Sequence, residues 1–131
     1  MTTHRIDDES RPYDPAGLPT KPQAGIEPLT ALDLRVGTVV DVEPFPEARD
    51  PAWKLTVDFG PVLGHLRTSA KITNYPADQL LGSTVVGAVN LGVRRIAGFR
   101  SEFLVLGGLE ADGTVRLLSP DGDLPPGSVI A

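Results

Sequence analysis

The chain has 131 residues, is 40% hydrophobic, carries a formal net charge of −5 and contains no cysteine. That length suits one domain with a globular core. The absence of cysteine excludes disulfides, thiol chemistry and thiolate metal sites, and His4 and His65 are too few for a three-histidine metal site. The N-terminal residues hold no apolar signal core, and no run approaches the roughly 18 apolar residues of a membrane span. A soluble, cytoplasmic protein without membrane insertion is the expectation.

Residues 1–28 contain Pro12, Pro15, Pro19, Pro22 and Pro28 and almost no branched aliphatics. Such a segment buries too little apolar surface to offset its ordering entropy. It reads as a flexible tail, part of which can lie along the domain that follows at residues 29–131. In that domain Val36, Thr38, Val40 and Val42 alternate with Gly37, Val39 and Asp41, the pattern of a strand, which Pro44 and Pro46 stop. Trp53, Leu55, Val57 and Phe59 share one face of a second strand, and that phase assigns Trp53 to packing rather than base stacking. Gly60, Pro61 and Gly64 mark a turn. In the third strand Leu66, Thr68, Ala70 and Ile72 share one face, and His65, Arg67, Ser69 and Lys71 the other. Residues 75–81 read as one or two helical turns ended by Gly82. Residues 85–91 and 103–106 read as the fourth and fifth strands, 114–118 as a sixth, and 128–130 as an edge.

Three strands, a short helix and two more strands suit an all-β OB-fold, a five-stranded Greek-key barrel, here with a C-terminal β extension. An SH3-like barrel or a small sandwich has similar strands, but the helix between strands three and four favours the OB-fold. The fourth and fifth strands are apolar on both faces. The barrel interior fills one face, so the other needs a cover, either the residues after 114 or a second copy of the chain. Two-fold pairing there predicts a homodimer.

Charge is uneven along the chain. Residues 64–101 carry Arg67, Lys71, Arg94, Arg95 and Arg100 against Asp78 alone, a balance of +4 that leaves −9 for the rest. Overall acidity argues against general DNA coating and against an anionic membrane, but one basic region can hold a polyanion locally. Gly92–Glu102 reads as a loop between strands four and five with three arginines that folding does not require.

The ordered motifs carry a family resemblance. Leu32-Asp33-Leu34-Arg35-Val36-Gly37-Thr38-Val39, Arg67-Thr68-Ser69-Ala70, Asn90-Leu91, Arg95-Ile96-Ala97-Gly98 and Ser101-Glu102 resemble the stand-alone tRNA-binding domain. That domain is also appended to methionyl- and phenylalanyl-tRNA synthetases and found in EMAP-II-like proteins. Phe45-Pro46-Glu47-Ala48-Arg49, Asp58-Phe59-Gly60 and Leu104-Val105-Leu106-Gly107-Gly108 resemble its CsaA branch most closely. The resemblance covers residues 29–131 and implies an OB-fold homodimer that binds tRNA. The CsaA branch also implies a chaperone linked to protein secretion that binds unfolded or export-bound polypeptide. After Ser101-Glu102 this chain has Phe103 and Leu104 where many members of the wider family continue with glycine and methionine.

The residues expected to bind RNA are Arg67, Ser69 and Lys71 on the third strand, with Asn90, Arg94, Arg95, Arg100 and Ser101 around the loop. Guanidinium groups bind phosphate bidentately. Asn90 reads equally as a structural cap, and Arg94 or Arg95 as an ion-pair partner of Glu102 or of an acid on a second subunit. No nucleophile–base pair, phosphate-cradling loop or metal cluster is recognisable, so a non-catalytic protein without cofactor is expected.

Overall fold

The computed structural model describes residues 11–131, so residues 1–10 of the expected tail lie outside the described residues. Alternation of large apolar residues sets the main strands: β1 (Leu34–Pro44), β2 (Trp53–Asp58), β3 (His65–Ala70), β4 (Thr84–Ala88) and, after two short strands, β7 (Leu104–Val105). They form one antiparallel sheet in the order β3-β2-β1-β4-β7. The long β1 serves two neighbours. Residues 34–38 pair with β4 and residues 38–44 with β2, and the register shift between Val39 and Asp41 bends the strand at that handover.

Hydrogen bonds between β3 and the segment before β7 close the sheet into a barrel. Glu102 N–H donates to Arg67 O at 2.7 Å, and Arg67 N–H donates to Glu102 Oε1 at 2.9 Å. The Thr68 hydroxyl lies 2.9 Å from that of Ser101 and donates to Phe103 O at 2.7 Å. Thr68 and Ser101 are the two buried polar residues among those described, and these bonds satisfy both.

The core gathers Val39, Leu55, Val57, Phe59, Ile72, Leu80, Val85 and Phe103. Phe59 and Phe103 meet edge to face, with centroids 4.8 Å apart. Gly87 makes that contact possible: a Cβ there would stand 2.8 Å from Phe59 Cζ and 2.9 Å from Phe103 Cδ2. Trp53 packs against this core and its indole N–H donates to Tyr75 O.

A helical turn, α3 (Ala77–Leu80), lies between β3 and β4 as expected. Two further turns escape the sequence pattern: α1 (Glu27–Ala31), inside which the expected domain boundary falls, and α2 (Gly60–Leu63), where only a turn is predicted. Before α1, Tyr13 N–H donates to Ala111 O, so part of the proline-rich segment touches the domain. The extension pairs β8 (Gly107–Leu109) with β9 (Val115–Leu117) and then returns to β1. There Val36 N–H donates to Ser128 O, while Gly127 N–H and Ile130 N–H donate to Val36 O and Leu34 O. Arg35 holds the return from the side, pairing with Asp33 and donating to Gly127 O.

Both faces of β4 are buried within this one chain, Val85 at 0% and Val86 at 4% exposure. Val85 and Val86 are thus covered within the chain, whereas Leu91 and Leu104, of the expected fourth and fifth strands, stay about half exposed. Other large apolar residues left exposed include Ile26, Leu29, Leu32 and Val93.

Candidate nucleic-acid interface

The segment expected to be a loop is a β-hairpin of β5 (Arg94–Ile96) and β6 (Phe99–Ser101). Its turn is Ala97-Gly98, with φ of 49° and 80°. Positive φ at both central residues matches the right-handed twist of the flanking strands. Glycine adopts it without penalty, whereas alanine does so at a cost.

The register divides the arginines. Arg95 stands opposite Arg100, Arg94 opposite Ser101, and Ile96 opposite Phe99. Opposed residues share a face, and adjacent pairs alternate. Ile96, Phe99, Arg94 and Ser101 therefore share one face and Arg95 with Arg100 the other.

A small second core seats the hairpin. Phe99, Phe45 and Ala52 are buried together, with Ala48 and Ile96 packed against them, and the Phe45 and Phe99 rings meet edge on at 5.4 Å. This joins the hairpin to the connection between β1 and β2. Lys54 Nζ lies 4.8 Å from the Phe45 ring centre, and the Arg67 guanidinium lies 4.8 Å from that of Phe99. Such cation–π contacts hold the long side chains over the rings.

Two clefts flank the hairpin. One, about 320 Å³, is lined by Arg67, Arg95, Gly98, Phe99, Arg100 and Glu102. The other, about 310 Å³, has Ser69, Lys71 and Arg94 beside Ile96, Leu104, Val105 and Val115. The five cations thus line two clefts beside the hairpin.

Their pairing also differs. Arg67 meets Glu43 at 3.3 Å and Lys71 meets Asp50 at 2.9 Å. The hydrogen bond and charge of Lys71 hold the Asp50 carboxyl below its ordinary range. Among the described residues, Arg94, Arg95 and Arg100 have no ion pair and no side-chain hydrogen bond. Glu102, a partner considered for Arg94 or Arg95, instead bonds the Arg67 backbone.

The three neutral residues separate. Ser69 lines both the 310 Å³ cleft and a smaller pocket beside it. Ser101 turns inward, 7% exposed, with its hydroxyl engaged by Thr68 and Ser69 N–H. Asn90 clamps α1 to the start of β1, accepting from Asp33 N–H at 2.8 Å and donating to Ala31 O at 2.9 Å. Its amide does the work of the structural cap. Sequence reasoning missed Glu43, Asp50 and Phe99 as residues that shape this surface. Phe99 had a signal, since it follows a turn dipeptide directly.

No helix among the described residues is long and apolar enough to cross a membrane, and no group of three metal-ligating side chains occurs among them. The family model described as "Putative tRNA binding domain" matches residues 34–129. Methionine–tRNA ligase of Porphyromonas gingivalis (strain ATCC 33277) is 32% identical over 112 residues, 86% of this chain and 16% of that protein. The Bacillus subtilis methionine–tRNA ligase is 30% identical over 123 residues, 94% of this chain and 18% of that protein. The chain thus spans about one sixth of the length of these relatives. Among solved structures, chaperone CsaA from Bacillus anthracis is 47% identical with a TM-score of 0.79, covering 84% of this chain and all of that one. The CsaA chaperone protein from Picrophilus torridus is 42% identical at the same TM-score, covering 83% of this chain and all of that one.

Proposed function

The chain belongs to the tRNA-binding domain family, and from that premise we propose that it is a non-catalytic tRNA-binding protein of the CsaA type. The observation that carries this is that Arg94, Arg95 and Arg100 on the hairpin have no ion pair or side-chain hydrogen bond among the described residues. Like charges directly opposite each other on a hairpin destabilise it, so the Arg95–Arg100 pair has no folding rationale. A phosphate between them supplies one. Arg67, Lys71 and Ser69 extend the surface onto β3. Asn90 and Ser101 support it structurally rather than touching RNA. Bulk tRNA titrated against the purified protein at two salt concentrations tests the reading. Binding that weakens steeply with salt is expected, and no binding at low salt contradicts it.

The second reading is a chaperone for unfolded or export-bound polypeptide. It is favoured by the apolar wall of the 310 Å³ cleft, Ile96, Leu104, Val105 and Val115, and by the likeness to the CsaA chaperones. Binding of an extended apolar peptide that is insensitive to salt, alongside salt-insensitive or absent tRNA binding, favours it over the first. A homodimer acting in the cytoplasm accompanies either reading. Its support is the exposed Leu29 of α1 with Ile26 and Leu32 at its two ends, joined through the Asn90 clamp to the exposed Leu91 and Val93. A light-scattering mass near the 13.9 kDa of one chain contradicts the dimer.

A further inference from the structure

The cations of this surface fall into two classes by what they hold in the free protein. Arg94, Arg95 and Arg100 have no ion pair or side-chain hydrogen bond among the described residues, whereas Arg67 and Lys71 each hold a carboxylate. Arg67 Nη2 donates to Glu43 Oε1 at 3.3 Å, and Lys71 Nζ donates to Asp50 Oδ2 at 2.9 Å. Both acids come from one stretch of chain, the end of β1 and the connection that follows it.

Glu43 reaches far to make its pair. It stands opposite Lys54 on β2, while Arg67 lies on β3, one strand further. Adjacent strands are about 4.8 Å apart, so the two side chains together bridge about 10 Å of sheet. Lys54, the cation directly opposite Glu43, is turned over the Phe45 and Phe99 rings instead, 4.8 and 5.2 Å from their centres. Packing of Phe45 on Phe99 holds the acid-bearing stretch against the hairpin. The four paired side chains are between 43% and 72% exposed, and ion pairs this open add little to stability. The fold does not depend on them.

A carboxylate and a phosphate compete for the same donors, since a guanidinium or an ammonium binds either anion. A phosphate arriving at Arg67 or Lys71 meets an anion already in place, and like charges at an interface oppose binding. We propose that Glu43 and Asp50 are competitors of RNA phosphate built into the chain. They occupy Arg67 and Lys71 in the free protein and set the affinity of the surface below what its five cations allow. This rests on the RNA-binding reading above and adds the residues that oppose it. Such a repulsive element selects against polyanions that cannot hold phosphates at both positions.

The test is a titration of bulk tRNA over a salt series, with the full chain and with Glu43→Gln and Asp50→Asn. Each variant is expected to bind roughly threefold to fivefold tighter at low salt, the order of one charge contact in water. Each should also steepen the log–log salt slope by roughly 0.7 to 0.9, the gain of one phosphate contact. The gain from Glu43→Gln should vanish when Arg67→Gln is added, and that from Asp50→Asn when Lys71→Gln is added. Glu110→Gln removes the same charge from the Arg116 pair on the β8–β9 hairpin and should leave the affinity within about twofold. Variants at Glu43 and Asp50 that bind as the unaltered chain does, or more weakly, overturn the competition and leave RNA binding in place. So does an equal gain from Glu110→Gln, which net charge alone explains. Failure of both the unaltered chain and Glu43→Gln/Asp50→Asn to bind tRNA overturns both readings.

Discussion

The molecule has two β-hairpins of the same size, β5–β6 and β8–β9, each built from three-residue strands. In the second, nearly every polar group is tied down. Arg116 pairs with Glu110, which raises the guanidinium pKa further, and Asp112 accepts from Thr114 N–H. Asn74 reaches the Val115 carbonyl and the Tyr75 hydroxyl takes the Leu117 N–H. In the first hairpin the apolar face is anchored as firmly, by Phe99 on Phe45, but its arginines have no partner among the described residues. An architecture that can satisfy an arginine in one hairpin leaves three unsatisfied in the other. Among the described residues those three have no ion-pair partner, which supports their proposed role as phosphate contacts.

Charge reversal gives the largest expected contrast. Arg94→Glu/Arg95→Glu should weaken tRNA binding by at least roughly tenfold, with melting temperature unchanged, because both side chains are exposed. Arg116→Glu should leave tRNA affinity within about twofold, since its charge is already engaged. Equal losses in the two variants would mean that net charge, not the first hairpin, governs binding.

Thr68→Val tests what fixes the first hairpin to the barrel. It removes the hydroxyl shared by Ser101 and the Phe103 carbonyl, and should cost about 1–3 kcal/mol because buried partners are left unsatisfied. Each kcal/mol lowers the melting temperature of a domain this size by roughly 4–8 °C. An unchanged melting temperature contradicts the closure described.

Ala97→Gly should act in the opposite direction. At φ 49° the alanine is in left-handed conformation, and relief of that strain is worth about 1 kcal/mol, less the extra chain entropy of glycine. Thermal denaturation should show a small rise, with tRNA affinity unaltered.

The smallest effect concerns Asp50. Its carboxyl should titrate below the ordinary 3.8, chiefly through its hydrogen bond with Lys71 and then through that charge. A folded-state value depressed in this way stabilises above the unfolded pKa, and the contribution is lost as pH falls through the folded one. The pair is exposed, so the readout is the carboxyl resonance itself in a carbon-13 NMR titration. Lys71→Gln should move the midpoint back up, and no movement contradicts the pairing.

The barrel was legible because its strands are long enough to show alternation. Leu55 and Val57, predicted inward, are fully buried. The short hairpin was not. Three-residue strands hold less than two full periods, and arginine carries no inward or outward signal, so Arg94, Arg95 and Arg100 read as one set. Only the register separates them. Asn90 was legible as either a structural cap or an RNA contact, and Ser101 as polar but not as inward-facing, because their partners, Ala31, Asp33 and Thr68, lie far away in sequence. The cover of β4 was open in the sequence for a related reason: Val36 and Val86 look alike whether an extension or a second chain lies over them. The Asp33-Leu34-Arg35-Val36-Gly37 motif marked the family, yet its Asp33–Arg35 pair holds the returning chain at Gly127, a structural role.

The most direct test of the account is the salt dependence of tRNA binding by the unaltered chain and by Arg94→Gln/Arg95→Gln/Arg100→Gln. If the unpaired arginines are the phosphate contacts, the triple variant keeps its fold, binds more weakly and loses roughly 2.1 to 2.7 from the log–log salt slope. A triple variant with the affinity and slope of the unaltered chain would contradict the assignment of this hairpin as the tRNA-binding element.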